Sequence, residues 1–309
     1  MTHPFAALAD WGTTSFRLWL VDADGDVLAE RRSAEGMATA AEEQGGFAGV
    51  LGRHLAALAA PADLPVVACG MVGARQGWVE APYVETPADP DTLAAGAVRV
   101  PGTNRTVFIL PGVCQRAEDQ YDVMRGEETQ ILGLEASSRG CEGRELVCLP
   151  GTHSKWVTLD AGRLNGFATF VTGDLFAAIA GHTILRHSMT PGDERFDVPA
   201  FERAVRTGFE RPAELSSRLF AIRAGGLLAP ENAPHAASTL SGLLIGLELA
   251  GAASRFGKLD GHTVRLVASG PLAERYRVAF ATLSLGAIEA DGEAAVRRGL
   301  LAAARKILT

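Results

Sequence analysis

Apolar residues along this chain fall into short runs separated by small, hydrogen-bonding turns, and one such arrangement occurs twice. Leu8-Ala9-Asp10-Trp11 leads into Gly12-Thr13-Thr14-Ser15 and out into the apolar segment Phe16 to Val21. Glu145-Leu146-Val147-Cys148-Leu149 leads into Pro150-Gly151-Thr152-His153-Ser154-Lys155 and out into Trp156-Val157-Thr158-Leu159. Each reads as strand, polar turn, strand. Val27 to Arg31 adds a third strand to the first copy across Asp22-Ala23-Asp24-Gly25-Asp26. That acidic turn is a hairpin turn and not a calcium loop, because Val27 stands where an EF-hand requires glycine.

Helical spacing dominates elsewhere. Phe47, Val50, Leu51, Leu55 and Leu58 form one stripe on a helix over Gln44 to Ala60, and His54 on that stripe is expected to be a satisfied core histidine. Pro65 to Cys69 and Thr106 to Leu110 read as short buried strands. Tyr121 to Leu134 reads as a helix with Val123, Ile131 and Leu134 on its apolar side and Asp122, Glu127 and Glu128 in its first two turns. Arg163 to Val171 is a predicted strand, and Thr172-Gly173-Asp174 suits the start of a helix over Leu175 to Ile184. Pro199 to Gly225 reads as two helices broken at Arg211-Pro212. Ser238 to Ala253 is a strongly apolar helix whose Gly242 and Gly246 indicate close helix packing. Thr263 to Ala268 is a strand meeting Ser269-Gly270-Pro271 and a helix over Leu272 to Phe280, and Glu293 to Leu308 is a last amphipathic helix.

Length and composition narrow the class. At 309 residues the chain suits two domains, and 47% hydrophobic with 21% charged residues is ordinary globular composition. A formal net charge of −7 supplies no basic excess for a nucleic-acid partner. No apolar run is read as long enough to span a bilayer, and Met1 to Phe5 lack the basic start of a signal peptide, so a cytoplasmic protein is expected. Cys69, Cys114, Cys141 and Cys148 show no metal-ligand spacing and are expected to be reduced, with Cys69 and Cys148 buried on strands. His182 and His187 are not at helical metal spacing and receive no site.

The two polar turns carry the chemistry. Small residues let backbone N–H groups approach an anion, and Thr13, Thr14, Thr152, Ser154 and Lys155 add donors aimed at the same point. An ordinary polar hairpin turn is the competing reading of either copy alone. Asp10, at the exit of the first strand, can hold Mg²⁺ against phosphates bound by the neighbouring hydroxyls and amides. Gly70-Met71-Val72-Gly73-Ala74-Arg75-Gln76-Gly77-Trp78 follows a strand directly, and the planar fork of Arg75 matches a carboxylate. A surface loop with a salt-bridged arginine and a core tryptophan is the alternative. Asp174 is either a helix cap or a substrate contact. Asp122, Glu127 and Glu128 gather carboxylates at one helix start, where the helix N-terminus favours them.

The runs Ala9 to Trp19, Ala68 to Trp78, Asp122 to Gln130, Leu149 to Val157 and Thr172 to Phe176 resemble those of the 2-dehydro-3-deoxygalactonokinase family, within the actin-like ATPase and sugar-kinase superfamily. The phosphate loops are shared by the superfamily, whereas Cys69-Gly70-Met71-Val72-Gly73 and Met124-Arg125-Gly126-Glu127-Glu128-Thr129 single out the family. The resemblance implies an α/β, two-domain actin-like (ribonuclease H-like) fold with an ATP cleft between domains spanning 1–115 and 116–309, the last helix returning toward the hinge. It implies ATP and Mg²⁺ as cofactors and a small sugar acid as substrate, with Gly12, Thr13, Thr14 and Gly151 to Lys155 on the phosphates. Asp10 would hold the metal, Ser269 and Gly270 would lie at the adenosine, and Arg75, Gln76, Trp78 and Asp174 at the substrate. The base stays open among Glu128, Glu127 and Asp122, in that order, and a homodimer is left open. The Gly126-Glu127-Glu128 run also resembles the exopolyphosphatase branch, and an actin-like assembly protein is the reading from another class.

Overall fold

A computed structural model describes residues 3–117, 120–134, 144–190, 192–193, 195–231, 235–259 and 263–309; Cys141 lies outside the described residues. The chain divides into two compact units, Met1–Arg144 with Leu159–Phe167 and Asp291–Thr309, and Glu145–Thr158 with Ala168–Ala290.

The first unit begins with β1 (Ala6–Trp11), β2 (Phe16–Val21), β3 (Val27–Ser33), α1 (Met37–Ala40), α2 (Gly46–Ala57) and β4 (Val66–Gly70). It continues through β5 (Val84–Glu85), α3 (Pro90–Ala95), β6 (Val98–Arg99), β7 (Val107–Ile109), β8 (Val113–Ala117), β9 (Gln120–Met124) and α4 (Glu127–Leu132). Its main sheet runs β3-β2-β1-β4-β7-β6, antiparallel from β3 to β1 and parallel from β1 through β4 to β7. Strand alternation sorts the core into two layers. Ala7, Ala9, Trp11, Val66 and Ala68 meet Phe47, Val50, Leu51 and Leu55 of α2 on one face. Ala6, Leu8, Val67 and Cys69 meet Val296, Leu300 and Ala304 of the C-terminal helix on the other. Asp10, two residues after Leu8, therefore belongs to the face of the C-terminal helix. His54 is buried among these apolar residues and satisfied, receiving Arg31 Nε on Nδ1 at 3.0 Å and lying 2.7 Å from Glu35 through Nε2.

The second unit carries β10 (Arg144–Leu149), most of β11 (Ser154–Asp160), the last residues of β12 (Arg163–Phe170), whose larger part belongs to the first unit, and α5 (Thr172–His182), α6 (Val198–Glu210), α7 (Leu215–Leu228) and α8 (Ala236–Phe256). It ends with β13 (Thr263–Val267), α9 (Gly270–Thr282) and β14 (Gly286–Ala290), and α10 (Gly292–Ile307) completes the first unit. The sheet order β12-β11-β10-β13-β14 repeats β3-β2-β1-β4-β7, with β10, β13 and β14 parallel as β1, β4 and β7 are. Helices α6 and α8 pack backbone to backbone: a Cβ on Gly242 would sit 2.5 Å from the Phe201 carbonyl oxygen, and one on Gly246 closer still to that of Val205.

Three readings change. Tyr121 to Met124 is strand, paired in register with β8 (Gln115 to Asp122, Val113 to Met124), so only Glu127 to Leu132 is helical. Gly126, at φ 110°, makes the break, a backbone conformation side-chain-bearing residues rarely adopt. Asp122 consequently lies on a strand and not in the helix's first turns. A boundary after residue 115 would cut β8 within the β5-β8-β9 sheet, inside the first unit. Finally, α8 spans 21 residues at mean hydropathy 1.4, long and apolar enough to cross a bilayer by length and composition. It is instead a core helix, with Leu240, Leu243, Leu244, Ile245 and Leu249 buried together with Glu248.

Candidate active site

In the first unit, Asp10 is the next-to-last residue of β1, just ahead of the loop to β2. Cross-strand register sets Arg17 opposite Asp10, with Nη1 3.6 Å from Oδ2, and sets Cys69 beside it on β4. Cys69 Sγ is 4.0 Å from Asp10 Oδ1, and burial pushes its thiol well up, so it is neutral and inert. Burial also raises the Asp10 carboxyl, Arg17 opposes this, and the charges of Glu293 and Glu127 add to the rise. The loop after Asp10 is held from behind: Gly12 N–H donates to Ser15 O, while Gly12 O and Thr13 O accept Met37 and Ala38 N–H. Thr13 and Thr14 are thereby presented to solvent.

The acids of α4 converge on the same sheet face. Glu128 is 1% exposed; its Oε2 accepts Gly126 N–H at 2.7 Å and its Oε1 the Thr129 hydroxyl at 3.0 Å. Burial first, then the charge of Glu127, pushes its carboxyl up to about 8. Glu127 is only half-buried, and its Oε2 accepts Arg125 N–H at 3.1 Å. Asp10, Glu127 and Glu128 thus form one acidic cluster, whereas Asp122 lies on β9. Among the described residues, no group of three or more His, Cys, Asp or Glu side chains could by itself hold a metal.

The Gly70 to Trp78 loop divides. Trp78 packs inward, stacked on Phe47 at 6.2 Å and edge-on to Trp11 at 6.3 Å, so it is in large part a core residue. Arg75 is 80% exposed and lies 3.6 Å from Glu80, and Gln76 is exposed beside it. Arg125, which no sequence pattern marks as a site residue, donates through Nη2 to Ala81 O at 2.9 Å and stacks 4.3 Å over Tyr83. Its Nε and Nη1 are buried without an acceptor among the described residues.

In the second unit the loop between β10 and β11 leans on the start of α5. Thr152 O accepts the N–H groups of Gly173 and Asp174, both at 3.1 Å, and a Cβ on Gly173 would sit 2.6 Å from Thr152 Cα. Thr152 and His153 are exposed, and His153 Nε2 lies 2.6 Å from Asp174 Oδ2. Asp174 therefore pairs with the loop and does not cap its helix, whose N-cap has no side-chain bond. Ser154 and Lys155 are buried as the first residues of β11, so Lys155 is not at the exposed tip of the turn. Beside the loop lies a cavity of about 220 Å³ lined by Gly151, Thr172, Gly173, Leu272, Arg275 and Tyr276 among others. Exposed Ser269 and Gly270 begin α9, which supplies three of these residues.

Two sheets of matching strand order, each with a Gly-Thr loop between its central strand and the next, define the actin-like class to which sugar kinases belong. The model of the family 2-keto-3-deoxy-galactonokinase matches residues 10–303. The chain is 52% identical over 307 residues to the Probable 2-dehydro-3-deoxygalactonokinase DgoK1 of Rhizobium meliloti (strain 1021), covering 99% of this chain and 98% of that one. It is 33% identical over 314 residues to the 2-dehydro-3-deoxygalactonokinase of Escherichia coli (strain K12), covering 99% of each. A crystal structure from Sinorhizobium meliloti, provisionally described as a 2-dehydro-3-deoxygalactonokinase, superposes with a TM-score of 0.91 at 52% identity, covering 98% of this chain and 99% of that one. The chain belongs to the 2-dehydro-3-deoxygalactonokinase family.

Proposed function

We propose that the protein transfers the γ-phosphoryl group of ATP to the 6-hydroxyl of 2-dehydro-3-deoxygalactonate. The observation that carries this is similarity over essentially the whole chain, at 52% and 33% identity, to proteins bearing that kinase's name. The sugar oxygen attacks the γ-phosphorus, the bond to the ADP oxygen breaks, and the hydroxyl proton passes to a carboxylate. Glu127 suits that role better than Glu128, because a base must touch the hydroxyl and Glu128 is 1% exposed with both oxygens engaged. Glu128 instead ties the Gly126 turn to α4, and Asp122 is the third candidate.

Gly12, Thr13 and Thr14 and the loop Gly151 to Lys155 hold the phosphates, with Ser269, Gly270 and the 220 Å³ cavity beside Arg275 receiving the nucleoside. Mg²⁺ would be held at Asp10, a carboxylate beside the phosphate loop that has Arg17 at 3.6 Å and the charges of Glu293 and Glu127 nearby. Bound there, the ion would neutralise charge on the phosphates. Arg75 holds the substrate carboxylate, with Gln76 beside it; an exposed pair such as Arg75 with Glu80 is worth little and is readily exchanged for a ligand. Trp78 braces that loop against Phe47, and Asp174 orients His153. ATP as co-substrate suits a cytoplasmic enzyme.

Neither the phosphohydrolase nor the assembly-protein alternative is favoured by the family. The position of transfer is tested by incubating enzyme, ATP, Mg²⁺ and the acid and reading phosphorus–proton couplings in the product. Coupling to the two C6 protons is expected. A phosphate on another carbon, or only free phosphate, would overturn the assignment.

A further inference from the structure

Glu248 is 1% exposed in the middle of α8, and three other elements converge on its carboxylate. Oε1 accepts Trp156 Nε1 of β11 at 2.8 Å, while Oε2 accepts the Thr172 hydroxyl of α5 at 2.5 Å and the Tyr276 hydroxyl of α9 at 2.7 Å. Burial raises its carboxyl, and the hydrogen bonds from Thr172, Trp156 and Tyr276 counter the rise. With Glu248 as the carboxylate, which only accepts, the Tyr276 hydroxyl donates its proton to Oε2. The Tyr276 oxygen, 3.1 Å from Ser154 Oγ, can then accept the serine proton, for which Gly151 O at 3.5 Å is the more distant acceptor, and Ser154 Oγ accepts Gly151 N–H at 3.3 Å. One polarised chain therefore runs from Gly151 N–H through Ser154 and Tyr276 to Glu248. Thr172 fastens the start of α5, where Gly173 and Asp174 N–H bind Thr152 O. Gly151, Thr172 and Tyr276 also line the 220 Å³ cavity.

We propose that Glu248 is a positioning residue for nucleotide binding: through Tyr276 and Ser154 on one side and Thr172 on the other, it fixes the shape of the Gly151 to Lys155 loop. The inference rests on reading that loop as a phosphate site. Glutamine at 248 keeps the volume but turns one acceptor into a donor, which opposes the protons of Tyr276 and Thr172 and reverses or breaks the chain. Tyr276→Phe removes its middle hydroxyl and keeps the ring.

The test is the dissociation constant of ATP, measured by calorimetry on full-length Glu248→Gln, Tyr276→Phe, Trp156→Phe and Thr152→Ala, with thermal unfolding of each. Glu248→Gln and Tyr276→Phe are expected to weaken ATP about tenfold with KM for the sugar acid within about twofold of the parent. Trp156→Phe, which loses a Glu248 bond outside the chain, is expected to lower the unfolding temperature and leave ATP affinity unchanged. Thr152→Ala separates the two levels: if it leaves ATP affinity unchanged, the loop reading fails. If it weakens ATP while folded Glu248→Gln and Tyr276→Phe bind normally, the positioning role is overturned. Should Glu248→Gln not fold, Tyr276→Phe alone decides.

Discussion

Glu127 and Glu128 are neighbours on α4 with opposite surroundings: Glu128 is sealed, its Oε2 on Gly126 N–H at 2.7 Å, whereas Glu127 is half-open, its Oε2 on Arg125 N–H at 3.1 Å. This contrast assigns them different work. Glu127→Gln is expected to lower kcat by about 10²- to 10⁴-fold with little change in KM for ATP, the usual worth of a general base. Steady-state kinetics of the variant check it, and a kcat within about threefold of the parent would return the role to Glu128 or Asp122.

Glu128 should be visible in stability. Its folded carboxyl is raised from an ordinary 4.5 to about 8, so between those values the folded state binds the extra proton and stability falls as pH rises. At about 1.4 kcal/mol per pH unit the contribution is at most roughly 5 kcal/mol, fully present below 4.5 and lost by about pH 8. Urea unfolding of Glu128→Gln against the parent should show the variant gaining relative stability from pH 5 to pH 8. Parallel stability curves would mean that Glu128 is not held protonated.

The strands around each Gly-Thr loop, the stripe of α2, the helices α6 to α10 and the buried Cys69 and Cys148 were legible because each rests on local periodicity. What escaped notice depends on contacts far apart in sequence. Tyr121 to Met124 has too few apolar residues to separate a period of 2 from one of 3.6, and pairing with β8 decides it. Strand β14, exposed along most of its length, has no alternation to read. Glu248 sits in a run that reads only as apolar helix, and its partners lie 28 to 92 residues away. The unsatisfied donors of Arg125 likewise emerge only in the packed structure.

Arg75 and Arg125 make a discriminating pair. If Arg75 holds the substrate carboxylate, Arg75→Ala should lower kcat/KM roughly 30-fold, Arg75→Lys should recover only part, and stability should change by less than about 0.5 kcal/mol, since the side chain is 80% exposed. Full activity of Arg75→Ala with collapse of Arg125→Lys would move carboxylate recognition to Arg125, whose Nε and Nη1 lack acceptors among the described residues.

Asp10→Asn removes the carboxylate assigned to Mg²⁺. The Mg²⁺ concentration for half-maximal activity should rise at least tenfold, while Thr13→Ala should chiefly raise KM for ATP. A magnesium titration unchanged by Asp10→Asn would remove the metal from this strand end.

The central claim is a kinase for a keto-deoxy sugar acid, and a coupled assay of ADP formation over a small panel of aldonates and 2-keto-3-deoxy aldonates tests it most directly. ATP consumption is predicted to depend on acceptor and to be highest with 2-dehydro-3-deoxygalactonate. Equal ATP turnover with and without every acceptor would contradict the account.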